Sequence, residues 1–376
     1  MERRVDILTG RHVIVATNRS TRPVHTAMPQ MQKNAAACGD LDPFLEGHES
    51  QTPNESLALR TLSSRANQPG WLLRIVPNRY PAVRSALDDG RETRMKTQSS
   101  VGCFGRTAAT GVHDVVIECS DHRRHLGELD STEVARILMA WQRRIQQIAT
   151  KPEIRAVFVF RNEGAGAGAS LPHCHSQILA TDFVPPQLGV RMNAGQSDIE
   201  RSSPSGHSGV HKCAVQQWRD AELQAEERVI CRTDHFDLIC PWASRTPWQV
   251  RFVPVKSCEF TAVSSEALCD LAVLLRQTVR AQAAFSGAFP HNLSLVLPPV
   301  NDPHSFLWHL DFLPRVSCYA GFELGADVDI LTTAPEAAAD DYRREFRPSR
   351  NPFAPDTVPS DVVPEGYHWL VSEMNG

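Results

Sequence analysis

His173, His175 and Gln177 recur at every second position and form the densest chemical signal in the chain. On a β-strand, residues i, i+2 and i+4 share one face. The spacing therefore presents two imidazoles and a carboxamide together, with Cys174, Ser176 and Ile178 on the opposite face. Immediately upstream runs Asn162-Glu-Gly-Ala-Gly-Ala-Gly-Ala-Ser170, with glycines at 164, 166 and 168. Backbone without Cβ atoms can approach an anion closely and point its N–H groups at it. A neutral imidazole is a competent nucleophile near pH 7, and a covalent histidine intermediate divides one hard transfer into two easier ones. The pattern points to attack on phosphorus, with Gln177 donating to a non-bridging oxygen. A glycine-rich turn beside two hydrogen-bonded histidines is the competing reading. It would suffice for one histidine alone; the whole run favours chemistry.

Several elements must position this stretch. The apolar run from Ala156 to Phe160 reads as a buried strand that breaks into the glycine loop. Asp130-Ser-Thr-Glu133 is a capping-box helix start, and Val134, Ile137, Leu138, Trp141, Ile145 and Ile148 follow at helical spacing. A strand is expected from His113 to Cys119. In the second half a helix is expected from about 264 to 285, with Leu268, Leu271, Leu275 and Val279 on one face. A strand at 292–297 and a segment bearing His309 come next. The order of elements repeats that of the first half, so the chain reads as a duplicated unit. The expected divisions are 1–190, a polar linker at 191–213, a second half at 214–345 and a Pro-rich tail at 346–376.

Composition excludes some classes. The 376 residues carry a net charge of -4, with 41% hydrophobic and 22% charged residues. An acidic balance argues against a nucleic-acid binder, and no stretch has the length and apolarity of a membrane span. Ten cysteines are scattered without a Cys-x-x-Cys pair, which suits reduced thiols and a cytoplasmic setting.

The run from Asn162 to Ser170, followed by His173-Cys-His175-Ser-Gln177, resembles the active-site signature of the galactose-1-phosphate uridylyltransferases, members of the histidine-triad superfamily. The likeness extends to Leu8-Thr-Gly-Arg-His-Val-Ile-Val with Arg19 and Arg22, to Arg74-Ile-Val-Pro-Asn78, and to Gly321-Phe-Glu-Leu-Gly325. It implies an α+β fold of two tandem histidine-triad-like halves, with antiparallel sheets and helices packed on one side. It implies that His175 attacks the α-phosphorus of a nucleoside diphosphate sugar and expels a sugar 1-phosphate, after which a second sugar 1-phosphate takes the nucleotidyl group. On this reading Gln177, Ser170 and the loop at Asn162, Gly164 and Gly168 steady the transferring group. Arg19 and Arg22 hold phosphate, Asn78 lies near the nucleoside, and Phe322 and Glu323 contact the hexose. UDP-glucose–hexose-1-phosphate uridylyl transfer is the expected activity. An ADP-glucose phosphorylase-like adenylyl transfer and a non-catalytic nucleotide-binding protein are the alternatives. Neither nucleic acid nor membrane is an expected partner, and a homodimer is left open.

The chain departs from the resemblance at the metal. The family carries a zinc knuckle, and its histidine ligands match His122 and His173. Asp42 and Leu45 stand at the two cysteine positions, and a leucine cannot ligate zinc. The expectation is a degenerate site, with His122 and His173 supporting the nucleophile strand by hydrogen bonds. In the second half, His309 remains where the family has a His pair, so that metal site also reads as dismantled.

Overall fold

The computed structural model describes residues 1–21, 42–85, 105–123, 125–202, 213–288, 290–346 and 362–372. Arg22 of the expected phosphate-binding pair falls outside them. Two short strands, β1 (Glu2–Val5) and β2 (His12–Val15), form a hairpin. The first repeat follows as β3 (Leu57–Thr61), β4 (Trp71–Pro77), β5 (Gly111–Ile117), helix α1 (Ser131–Ala149), β6 (Ala156–Glu163) and β7 (His175–Thr181). Helices α2 (Pro186–Ser202) and α3 (Ala214–Ala225) lead into the second: β8 (Val229–Arg232), β9 (Phe236–Ile239), β10 (Val250–Pro254), α4 (Ser265–Ser286), β11 (His291–Val296) and β12 (His309–Pro314). The chain continues through α5 (Gly321–Ala326), β13 (Asp329–Leu331), α6 (Pro335–Glu345) and β14 (Tyr367–Val371).

The duplication is visible in the sheet order. From one edge the first half runs β3-β4-β5-β7-β6; from the other the second runs β8-β9-β10-β12-β11. In each half the long helix lies between the third and fourth strands. The two halves merge into one eleven-stranded sheet through antiparallel pairing of β6 with β11, which sets Asn292 opposite Asn162 and Leu293 opposite Arg161. β13 joins β2 in parallel in a separate three-stranded sheet.

Burial explains the arrangement. The expected stripe on α1 is buried, and Asp130 caps the helix by accepting from the Glu133 N–H at 2.8 Å. The buried stripes of α1 and α4 lie on one face of the sheet and share one core with Leu73, Val116, Ile178, Leu293 and Leu310. Each fully buried aliphatic side chain contributes about 1.5–3 kcal/mol. A second core lies under α2 and α3 with Val215, Trp218, Val253 and Leu307.

Two expectations change. The polar segment expected as a linker carries the second half of α2, which runs to Ser202, and α3 beyond it buries Val215, Trp218 and Glu222. The tail adds β14, antiparallel to β3, as an edge strand. In both, a tertiary surface orders a segment whose local composition reads as irregular.

Candidate active site

β7 carries the alternation from His175 onward, with His173 and Cys174 just ahead of the strand. Its helix-facing side is held by Ser176, whose hydroxyl accepts from the Trp141 indole of α1 at 2.8 Å. Its other side presents His175 and Gln177. His175 opens the strand and is only 6% exposed. Its Nδ1 lies 2.7 Å from the His173 carbonyl. A carbonyl only accepts, so Nδ1 carries the proton and Nε2 keeps its lone pair. Burial, reinforced by the charges of Arg161 and His173, lowers the His175 pKa below its ordinary 6.5, against opposing contributions from the His173 carbonyl and Glu118. The result is a neutral, oriented imidazole with one nucleophilic nitrogen.

Gln177 is oriented by a residue that sequence reasoning passed over. The Ala82 N–H donates to Nδ1 of His113 at 3.0 Å. That nitrogen must therefore be unprotonated, and Nε2 carries the hydrogen. Nε2 in turn lies 2.8 Å from Gln177 Oε1. The Asn78 amide approaches the same oxygen at 3.5 Å. With Oε1 engaged, the Gln177 NH2 is the end left to donate to a ligand. Replacing His113 with Phe should leave the fold intact and lower turnover 10- to 100-fold through misplacement of Gln177; steady-state kinetics at matched stability would test this.

The loop after β6 turns on two glycines. Gly164 has φ +80° and Gly168 φ +88°, values that L side chains rarely adopt. A Cβ on Gly164 would also sit 3.1 Å from Pro290 of the second half. The second half holds this loop further. Asn292 of β11 donates to Asn162 Oδ1 and to the Ala167 carbonyl, each at 2.9 Å. That seam contact depends on tertiary register and has no local sequence signal. Ser170 stands exposed at the far end of the loop.

Behind β7 lies a buried charge network. Arg161 donates to Glu118 at 2.9 Å, to Glu163, and to Cys174 Sγ at 3.2 Å. Glu163 also accepts the Leu126 N–H at 2.9 Å. Although burial opposes the charged form, the charges of Glu118 and Glu163 keep the Arg161 guanidinium protonated. The arrangement satisfies a buried cation with two carboxylates, as interior charges require.

The expected zinc residues are drawn into a different bond. His173 Nδ1 lies 2.9 Å from Asp42 Oδ2 and its Nε2 lies 2.9 Å from the Cys119 carbonyl. Both neighbours accept, so both ring nitrogens donate and the imidazole is cationic. Burial pulls its pKa down, but the bonds to Asp42 and Cys119 outweigh this and raise it to about 10. The other Asp42 oxygen accepts the Phe44 N–H at 3.0 Å. This turn sets the Phe44 ring between His173 and His175, with centroids 5.9 and 5.5 Å away. Leu45 offers no donor atom, His122 is exposed, and both His173 nitrogens are engaged. Among the described residues no three His, Cys, Asp or Glu side chains are grouped to hold a metal. The donor set does not fit a tetrahedral zinc. The brace expected from His122 comes instead from Asp42 and the Cys119 carbonyl.

Other expected site residues are not gathered here. Arg19 is exposed in a short 3-10 turn after β2, on the smaller sheet. Phe322 on α5 is 50% exposed, so it is no core residue, and Glu323 accepts the Ala320 N–H at 3.2 Å. Among the described residues none of the three contacts His175 or Gln177.

Residues 1–185 match the family model described as galactose-1-phosphate uridyl transferase, N-terminal domain. ADP-glucose phosphorylase from Arabidopsis thaliana is 30% identical over 346 residues, covering 90% of this chain and 91% of that protein. The chain belongs to the galactose-1-phosphate uridylyltransferase family. Galactose-1-phosphate uridylyltransferase from Thermotoga maritima is 27% identical over 277 residues, covering 71% of this chain and 82% of that one. A crystal structure of the Arabidopsis ADP-glucose phosphorylase with bound ADP-glucose superposes with a TM-score of 0.72 at 28% identity, covering 91% of this chain and 98% of that one. Like the uridylyltransferases it resembles, the chain is a nucleotidyltransferase enzyme. No helix among the described residues is long and apolar enough to cross a membrane.

Proposed function

We propose that this member of the uridylyltransferase family transfers a nucleoside monophosphate from a nucleoside diphosphate sugar by way of His175. The observation that carries the reading is the bond from His175 Nδ1 to the His173 carbonyl, which leaves Nε2 free on a neutral ring. In the first half-reaction Nε2 bonds to the α-phosphorus. The bond from that phosphorus to the bridging oxygen breaks, and the sugar 1-phosphate leaves with the electron pair. In the second, a phosphate oxygen of the acceptor attacks the same phosphorus and the histidine nitrogen leaves. The Gln177 NH2 and the loop N–H groups would stabilise charge on the non-bridging oxygens. The Asp42–His173 ion pair, rather than zinc, would brace the strand. Arg19, Arg22, Phe322 and Glu323 would complete substrate binding, with a homodimer as the assembly that could bring them to the site.

Uridylyl transfer from UDP-glucose to a hexose 1-phosphate is the reading the family carries. Adenylyl transfer from ADP-glucose to inorganic phosphate is the second. It is favoured by the 30% identity and near-complete coverage of the Arabidopsis phosphorylase. Incubation with each donor, labelled in the α-phosphate, separates them. The true donor should label the protein with an acid-labile, base-stable adduct, and the cognate acceptor should discharge it. If neither donor labels the protein, the catalytic reading fails.

The pH dependence follows from the lowered His175 pKa. A group with a depressed pKa stays neutral below its ordinary value of about 6.5. The labelling half-reaction should therefore remain flat from pH 8 through 6.5 and fall only at lower pH. A nucleoside diphosphate sugar has no phosphate proton to lose in that range, so the profile reports on the enzyme. A midpoint at or above 6.5 would contradict the assignment.

A further inference from the structure

The second half holds a cavity of about 240 Å³ that the proposed reaction does not use. It lies among the β1–β2 turn, α2, α3, β10 and the loop after β9. It sits where the duplication would place a counterpart of the active site. β12 opens with His309, as β7 opens with His175, and Asp311 follows two residues later in the position of Gln177. Asp311 is held by Arg251 of β10 through two bonds of 2.7 and 3.0 Å, and Arg251 lines the cavity.

The lining has more donors than acceptors. Five arginines and two carboxylates, Asp6 and Glu222, face it. Both carboxylates are already engaged. Asp6 accepts from the Leu8 N–H and the Thr9 hydroxyl, and Glu222 from Arg228 and the Trp242 N–H. Two donors have no such partner. Among the described residues Arg191 of α2 makes no hydrogen bond or ion pair, and its Nε is buried and unsatisfied. Gln249 is 2% exposed, and its Oε1 accepts the Arg245 N–H at 2.7 Å. Its NH2 is left without a protein partner. The buried Arg191 Nε–H, lacking an acceptor, is costly unless a ligand supplies one, and the Gln249 NH2 remains free to donate to the same ligand.

Size and walls narrow the ligand. The volume lies a little below the roughly 300–1,000 Å³ of ordinary drug-sized sites, which suits a ligand smaller than a nucleoside diphosphate sugar. The Trp218 and Trp242 indoles line the cavity too, with guanidiniums already over their rings: Arg251 over Trp218, and Arg4 and Arg228 over Trp242. We propose that this cavity is a second ligand site, in which Arg191 and Gln249 bind the phosphate of a small phosphate monoester such as a sugar phosphate.

Titration calorimetry of the full chain with glucose 1-phosphate tests this, with neutral glucose as control. The catalytic half could also bind this probe, so the signal is the component that depends on the cavity residues. Arg191→Met should weaken that component roughly tenfold or more, as expected for loss of a charge-assisted contact to phosphate. Gln249→Leu should weaken it several-fold. In phosphate-free buffer Arg191→Met should melt close to the wild type, because among the described residues Arg191 makes no hydrogen bond or ion pair and the pull of Asp311 and Asp6 is opposed by Arg251 and Arg245. Isotherms of both variants that superimpose on the wild type would overturn the proposal, and so would neutral glucose binding as tightly as the phosphate ester.

Discussion

Replacing His175 with alanine is expected to abolish the nucleotidylated intermediate and to lower turnover by a factor on the order of 10⁴ or more, the scale seen when a covalent nucleophile is removed. Alanine keeps the strand register, because the backbone pairing of residue 175 with Ile117 does not involve the side chain. It also removes the ring packed at 5.5 Å against Phe44, which should cost a small amount of stability without unfolding the sheet. The measurement is retention of α-phosphate label after donor incubation, scored beside thermal melting. A folded His175→Ala protein that still carries label would assign the chemistry to another residue. Gln177→Ala should still form the adduct, only more slowly, because its proposed part is to steady oxygens rather than to bond to phosphorus.

Asp42→Ala should be the most damaging substitution for stability near the site. The His173 side chain is fully buried and Asp42 nearly so. Removing one partner of a buried ion pair strands the other and costs about 3–5 kcal/mol. The same change deletes the acceptor of the Phe44 N–H, so the ring between the two histidines loses its anchor as well. The pH dependence has a definite sign. The folded His173 pKa, about 10, lies above its ordinary 6.5. The stabilisation from this group is fully present below about 6.5 and is lost as pH rises through about 10. Urea titrations from pH 6 to 10 should show wild-type stability declining towards the alkaline end and Asp42→Ala nearly flat. Equal slopes for the two proteins would rule out the ion pair as the brace.

Much of the fold around β7 is legible in the sequence. The alternation of His175, Ser176 and Gln177 fixes which side chains share a face of β7, because a strand has a strict period of two. The capping box and 3.6-residue periodicity of 131–149 define α1 for an equally local reason. What was hidden depends on pairing between distant segments. Asp42 reads as a lost metal ligand, and only the fold brings it to His173, 131 positions away. His113 looks like an ordinary strand residue until β5 pairs with β7 and its ring reaches Gln177. Asn292 has no local mark at all; its role exists only because β11 lies against β6. The α2 segment was missed in the other direction. Its polar composition suggests a connector, while Leu188, buried in the core beneath α2 and α3, gives the helix a surface to form on.

The antiparallel pairing of β6 with β11 has an evolutionary consequence. Two identical subunits meeting along such an edge would each need to keep a working site, because any substitution appears in both. Once both copies lie in one polypeptide, they stand at fixed one-to-one stoichiometry and high effective concentration, and each can drift alone. The copy bearing His309 could lose its pair of histidines while Asn292 went on supporting the glycine loop of its neighbour. A single polypeptide thus permits asymmetry between the halves: one carries His175 while the other holds its glycine loop in place.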